Sequence, residues 1–228
     1  MFDEIEIMIK DLIFPKQCFS CRTWGNFICS ECESGLKVQT FQRCIVCQKP
    51  SLSGWTHPKC KKRYAPERLI SIFDYHSKVV SSLINTGKSG LVPEIFSDLA
   101  FIAARKIKIR DEQIWKYILC PIPQTKSKAR WRGFNQAELI ARVLSKHFSL
   151  AVDNILVKPK ATRQQKELNK EQRASNLRSA FSVSLGPIPK QVILVDDITT
   201  TGSTFLEATI VLKRAGVKSV WCIAIAQD

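Results

Sequence analysis

The stretch QVILVDDITTTGST, residues 191–204, narrows the choice of folds more than any other part of this chain. Residues 192–195 are four apolar side chains in a row, so a strand formed there has no polar face for water and must be covered on both sides. That is the situation of a strand in a mainly parallel sheet with helices packed on each face. Ligands of such sheets bind at the carboxyl ends of the strands, and here that end presents Asp196 and Asp197, then Thr199, Thr200, Thr201, Gly202, Ser203 and Thr204. Gly202 allows close backbone approach, the hydroxyls add donors, and a helix starting at Thr204 aims its amino end at the same place. A monophosphate fits such a cradle. The two carboxylates repel phosphate but suit the vicinal hydroxyls of a ribose, so the pattern as a whole describes ribose 5-phosphate. The competing reading is an acidic pair that caps a turn and a threonine run that satisfies loop backbone. No G-K-S/T follows, which excludes a Walker A loop.

The rest of the carboxyl-terminal part alternates in the way such a sheet requires. Strands are expected at 69–75, 117–122, near Ile155, at 192–195 and at 219–226, and helices at 93–107, 134–148 and 204–215. The longest apolar run, 220–226, suits a buried strand and is too short to span a bilayer. Cys120 and Cys222 fall in apolar strands and read as inert core thiols.

Ahead of this lies a different kind of sequence. Cys18, Cys21, Cys29, Cys32, Cys44, Cys47, His57 and Cys60 form four ligand pairs, C-x2-C-x7-C-x2-C-x11-C-x2-C-x9-H-x2-C. Each pair brings two ligands from one tight turn onto a tetrahedral Zn²⁺, and eight ligands fill two structural sites. The simplest division is sequential, though an interleaved pairing satisfies the same spacing. Phe19, Trp24, Phe27, Phe41 and Trp55 are expected to cover the sites. A disulfide framework is the rival reading; the acidic start, with Asp3, Glu4 and Glu6, gives no sign of a secretory leader, so the expectation is a cytosolic chain and zinc. The organisation read from these patterns is an N-terminal helix at 1–17, ended by Pro15, a double zinc ribbon at 18–63, and an α/β domain at 67–228, with Lys61, Lys62, Arg63 and Pro66 at the boundary.

Charge separates the parts further. The 228 residues hold 35 Lys plus Arg against 20 Asp plus Glu, a net +15. Residues 105–178 alone hold 18 basic and 6 acidic side chains, which gives +12 of that total. Such a concentration suits a surface that meets phosphate, on a nucleotide, a diphosphate or a nucleic-acid backbone, or simply a solvated basic face.

Three blocks carry a resemblance: VILVDDITTTGST at 192–204, RWRGFNQAELIA at 130–141, and LVKPKATRQQKELNKEQRASNLRSAFSV at 156–183. The first resembles the phosphoribosyl-pyrophosphate (PRPP) loop of type I phosphoribosyltransferases. Together with the cysteine module, similar to a double zinc ribbon, they resemble the ComF family, also called ComFC, of competence-associated proteins. The resemblance implies a type I phosphoribosyltransferase-like sheet, PRPP with Mg²⁺, and ribose-phosphate contacts from residues 196, 197 and 199–204, with Asp196 and Asp197 as the catalytic pair. It implies a diphosphate loop at 120–123 leading into Lys126, Lys128, Arg130 and Arg132, amides of Asn135 and Gln136 near the ligand, and a lid at 162–178 that includes Thr162, Gln165, Arg173 and Asn176. Two positions depart from the family pattern. His57 stands where the family has cysteine, and residues 85–88 do not match its lysine-containing block, so no role is assigned there.

The function expected from the resemblance is handling of incoming single-stranded DNA in the cytosol during natural transformation, beside other DNA-uptake proteins and without membrane insertion. Trp131 and Phe134 amid basic residues offer charge and stacking for it. Two alternatives stand beside it: an active phosphoribosyltransferase of nucleotide salvage or synthesis, and a non-catalytic module in which the ribbons dock a partner while the loop senses PRPP.

Overall fold

The computed structural model describes residues 16–107, 109, 111, 113–158 and 180–228. The lid expected at 162–178, and all but the last two residues of the helix expected at 1–17, therefore lie outside the described residues. In chain order the elements are helix α1 (Ser30–Gly35), strands β1 (Gln42–Arg43) and β2 (Pro50–Ser51), β3 (Arg68–Asp74), α2 (Lys78–Ser89), α3 (Glu94–Lys106) and β4 (Ile118–Pro121). Then come α4 (Lys126–Arg132), α5 (Gln136–Phe148), β5 (Leu156–Val157), β6 (Ser182–Val183), β7 (Gln191–Thr199), α6 (Ser203–Arg214) and β8 (Ser219–Gln227).

Four strands form one parallel sheet in the order β3-β8-β7-β4. The register places Val195 beside Pro121 on one side and Ile223 on the other, so β7 is an interior strand, consistent with its unbroken apolar run. Its side chains alternate between two cores. Ile193 and Val195, with Trp221, Ile223 and Ile225 of β8, face α2, α3 and α5. Val192 and Leu194, with Val220, Cys222 and Ala224, face α6 and the β5-β6 ribbon. The strand expected near Ile155 does not join the sheet: β5 pairs antiparallel with β6, while the outer side of β4 is met by a single bridge at Val152.

The cysteine module covers the outer edge of β3. Gln39 N–H donates to Ile72 O at 2.8 Å, the Gln42 amide side chain bonds both backbone groups of Ser71 at 2.8 Å, and Thr56 N–H donates to Glu67 O at 2.8 Å. An exposed strand edge invites pairing with another chain, and this edge is consumed internally. Trp55 of the module meets Trp221 of β8 edge-on at 5.5 Å, and the Arg68 guanidinium lies over both rings, at 5.2 and 5.1 Å. Trp55 is thus a bolt between module and sheet rather than a cover for a metal site. Trp24 and Phe41, also expected as covers, are exposed at 65% and 74%. The Phe19 and Phe27 rings do meet, at 6.3 Å, and pack on the core.

Candidate functional site

Cys18, Cys21, Cys29 and Cys32 form one group and Cys44, Cys47, His57 and Cys60 another, the ligand atoms of each lying within 4.8 Å of one another. The division is sequential. Cys21 Sγ and Cys29 Sγ are 3.5 Å apart and Cys47 Sγ and His57 Nδ1 3.3 Å. A tetrahedral ion with bonds of ~2.0–2.3 Å separates its ligands by ~3.3–3.8 Å, so both groups fit one. His57 turns Nδ1 to the group and Nε2 to Pro50 O at 3.1 Å, the second contact that fixes the tautomer of a ligating imidazole. Burial pushes the Cys18 thiol up, but backbone N–H groups of Cys21, Cys29 and Ser20 outweigh it and bring it down to about 6. Cys44 is lowered in the same way, burial opposed by the N–H groups of Cys47, His57 and Val46. Backbone donors around a sulfur stabilise thiolate, the form that binds metal.

At the carboxyl end of β7 the chain runs from Asp196 and Asp197 through Thr199 into a turn and then α6. The strand continues beyond its apolar run to Thr199 because β8 stays in register, Asp196 opposite Ala224, Ile198 opposite Ala226 and Thr199 opposite Gln227. Gly202, at φ 76°, caps α6 in the left-handed region that a glycine adopts without strain. Thr200, Thr201, Ser203 and Thr204 are exposed around it, Thr199 is buried, and the first N–H groups of α6 have no intrahelical acceptor. The structure therefore brings the loop residues of the sequence reading together. Its one departure is Gly202 itself, which is buried: a Cβ there would stand 2.8 Å from Ile45 Cγ1, so the glycine is required by the cysteine module as well as by its conformation.

The two carboxylates sit differently. Asp197 is 6% exposed and pairs with Lys88 Nζ at 2.5 Å. Asp196 is half-buried and accepts the N–H of Asp197 at 2.9 Å. Burial, then the adjacent Asp197 charge, push Asp196 well above the ordinary carboxylate range. Lys88 is the residue that sequence reasoning missed. It comes from the last turn of α2, held close by Gly87, where a Cβ would meet the Phe96 ring of α3 at 2.7 Å. The signal was there: Val80, Leu83, Ile84 and Gly87 recur at helical spacing and are all buried.

Because β4 and β7 are parallel neighbours, the turn at 120–123 lies beside Asp196, and Ile122 N–H donates to Val195 O at 2.9 Å. Lys126, Lys128, Arg130 and Arg132 all fall on α4, a short helix that the sequence reading did not include. Thr125 caps it by accepting from Lys128 N, and Gly133 ends it at φ 77°. Lys128 and Arg130 are exposed. Asn135 is committed locally: it accepts from Ala137 N–H as the cap of α5 and donates to Ile122 O, both at 3.1 Å. The other amide, Gln136, is buried at 6% exposure, and its Oε1 has no hydrogen-bond partner. Gln165 and Arg173, with Thr162 and Asn176, lie outside the described residues.

Comparison with known proteins adds an independent line. Residues 132–228 match the family described as phosphoribosyl transferase domain. The chain is 30% identical to competence protein F of Haemophilus influenzae, over 93% of this chain and 98% of that one. This chain belongs to the ComF/ComFC family. Other relatives of the ComF chain are the DNA utilization protein YhgH of Salmonella typhi, 30% identical with 93% and 98% covered, and competence protein ComFC of Streptococcus pneumoniae, 26% identical with 87% of each covered. The ComF chain thus carries a phosphoribosyl transferase domain whose matched span contains α5, β7, α6 and β8, the elements that assemble the loop. Among its described residues no helix is long and apolar enough to cross a membrane.

Proposed function

We propose that this ComF-family chain works in the cytosol in competence and DNA uptake, handling single-stranded DNA alongside other uptake proteins, and that the carboxyl end of β7 binds PRPP or ribose 5-phosphate. The names competence protein F, DNA utilization protein and ComFC carried by relatives of nearly full length support the cellular role. The sugar-phosphate site is supported above all by one observation. Asp196, Asp197 and the turn Thr200, Thr201, Gly202 come off a single interior strand directly at the amino end of a 12-residue helix. Phosphate goes to the helix end and the hydroxyl-bearing turn, and the ribose hydroxyls go to the two carboxylates. Mg²⁺ accompanies a bound diphosphate, neutralising its charge with the help of the cations on α4. Two structural zinc ions occupy the cysteine groups, and the catalytic role falls on Asp196 and Asp197.

Titration calorimetry with PRPP, Mg²⁺ and, separately, ribose 5-phosphate tests the site. Saturable binding that Asp197→Asn weakens at least tenfold is expected; absence of binding to both ligands refutes the reading. For the DNA role, exposed Trp131, with Arg132 over its ring at 5.8 Å and Lys128 and Arg130 nearby in sequence, offers a stacking surface amid charge. Salt-dependent binding of an unstructured oligonucleotide is expected, and its absence counts against this role. The complete loop also favours a second reading, an active transferase that displaces pyrophosphate from ribose C1. Pyrophosphate release followed across a panel of bases and amines decides that, since binding without release with any acceptor removes it.

A further inference from the structure

The turn that carries Cys44 and Cys47 is the floor of the loop at the end of β7. Ile45, fully buried, lies under Gly202, its Cγ1 filling the space that any side chain at 202 would need. Gln48 closes the same turn. Its N–H donates to Cys44 O at 2.8 Å, and its φ of 58° turns the side chain toward the sheet. From there Gln48 Nε2 donates to Ile45 O at 2.9 Å and to Thr201 O at 3.0 Å. Gln48 Oε1 accepts from Gln227 Nε2 at 3.4 Å, and Gln227, buried in β8 opposite Thr199, accepts in turn from Ser71 Oγ at 3.0 Å.

One bond in this chain matters for ligand binding. A trans peptide points its carbonyl and the following N–H in opposite directions. With Thr201 O held down on the turn by Gln48, the N–H of Gly202 is aimed away from the module, to the side where an anion would sit. The residue that sets this plane directly follows Cys47, so its place depends on the geometry of the Cys44, Cys47, His57 and Cys60 group. The other group packs elsewhere: Phe19, Phe27 and Cys32 join the core on the opposite face of the sheet from Ile45.

From this juxtaposition we infer that Gln48 is a positioning residue of the sugar-phosphate loop, and that metal in the Cys44 group and ribose phosphate in the loop strengthen each other's binding. The inference rests on the sugar-phosphate reading of the loop. Coupling between sites is reciprocal, so it is measurable from either side. Without metal, the turn of Cys44 and Cys47 loses its tie to His57 and Cys60, Gln48 is held less firmly, and the loop loses part of what orients its backbone.

The experiment uses the full chain, ribose 5-phosphate as probe, and Co²⁺ in place of zinc so that the Cys₄ and Cys₃His sites are followed by their separate ligand-field bands. Gln48→Ala is expected to keep two metal ions per chain and to weaken ribose 5-phosphate about two- to tenfold, the range for one lost hydrogen bond. In the unsubstituted chain, saturating ribose 5-phosphate slows loss of Co²⁺ to EDTA from the Cys₃His site several-fold and leaves the Cys₄ site unchanged; in Gln48→Ala that protection disappears. Equal affinity of Gln48→Ala and the unsubstituted chain, or metal loss indifferent to ligand, overturns the inference while leaving the sugar-phosphate site intact. Failure of the unsubstituted chain to bind ribose 5-phosphate overturns this inference, and failure to bind PRPP as well overturns the sugar-phosphate site. If Gln48→Ala does not fold, protection in the unsubstituted chain decides alone.

Discussion

Asp196 and Asp197 are adjacent in sequence and opposite in circumstance. Asp197 has a lysine at 2.5 Å; Asp196 has burial and a neighbouring negative charge, and is held above its ordinary 3.8. A carboxyl with a raised folded-state pKa binds its proton more tightly folded than unfolded, so its contribution to stability is best at low pH and is lost as pH rises from 3.8 through the folded value. Asp196→Asn is therefore expected to be more stable than the unsubstituted chain at pH 7, on the order of 1 kcal/mol, with the difference vanishing toward pH 4. Denaturant titrations of both proteins across that range check it. A carboxylate kept at the expense of stability at an open strand end is what a ligand-binding role predicts. The acid pair was legible in sequence as a unit, but the split between its members was not, because it depends on Lys88, more than a hundred residues away and brought in by the packing of α2 on α3.

At the scale of elements, the connection from β4 to α5 is built by Asn135. Its side chain caps α5 at Ala137 N–H and ties down Ile122 O in the turn beside Asp196. Asn135→Ala loses these two bonds and a third, accepted from Gln124 Nε2 at 3.3 Å, and is expected to lower stability by about 1–2 kcal/mol, read as a shift of the urea midpoint without a change in slope. Short helix α4 belongs to the same connection. Its cations were legible, but its helicity was not, since a Lys/Arg-rich run of seven residues has no apolar face to give a 3.6-residue period. If Lys128 and Arg130 meet DNA phosphates, Lys128→Ala with Arg130→Ala reduces the salt slope of single-strand binding by about 1.4, near 0.7 for each lost contact. An unchanged slope assigns those two side chains to solvent or to diphosphate.

At the scale of the molecule, the parallel sheet has a cysteine-rich guard on one edge and under one loop. A structural zinc site contributes about 10–16 kcal/mol of apparent binding energy in small peptides, comparable with the ~5–15 kcal/mol stability of an entire domain. Removing metal from both groups should therefore dissolve the module and expose the β3 edge, along with Trp221, now 1% exposed beneath Trp55 and Arg68. The expected result of EDTA treatment is a red shift of tryptophan emission, a lower melting temperature and aggregation, reversed by added Zn²⁺. Metal analysis is expected to give two ions per chain. A chelated protein with unchanged emission and melting would show that the sheet stands without its guard.

The parallel sheet, the glycine turn after β7 and the two cysteine groups were legible along the chain, because each is written in local patterns: an unbroken apolar run, an acid pair before a hydroxyl-rich glycine turn, and cysteines at turn spacing. Tertiary packing was needed to establish that the ligand groups are sequential, that Lys88 answers Asp197, and that Ile45 and Gln48 support the loop at 201–202. The last two are contacts between residues of long sequence separation, 153 in the case of Gln48 and Thr201. No spacing rule encodes such contacts, because what brings the partners together is the burial of two faces of one sheet rather than any pattern along the chain.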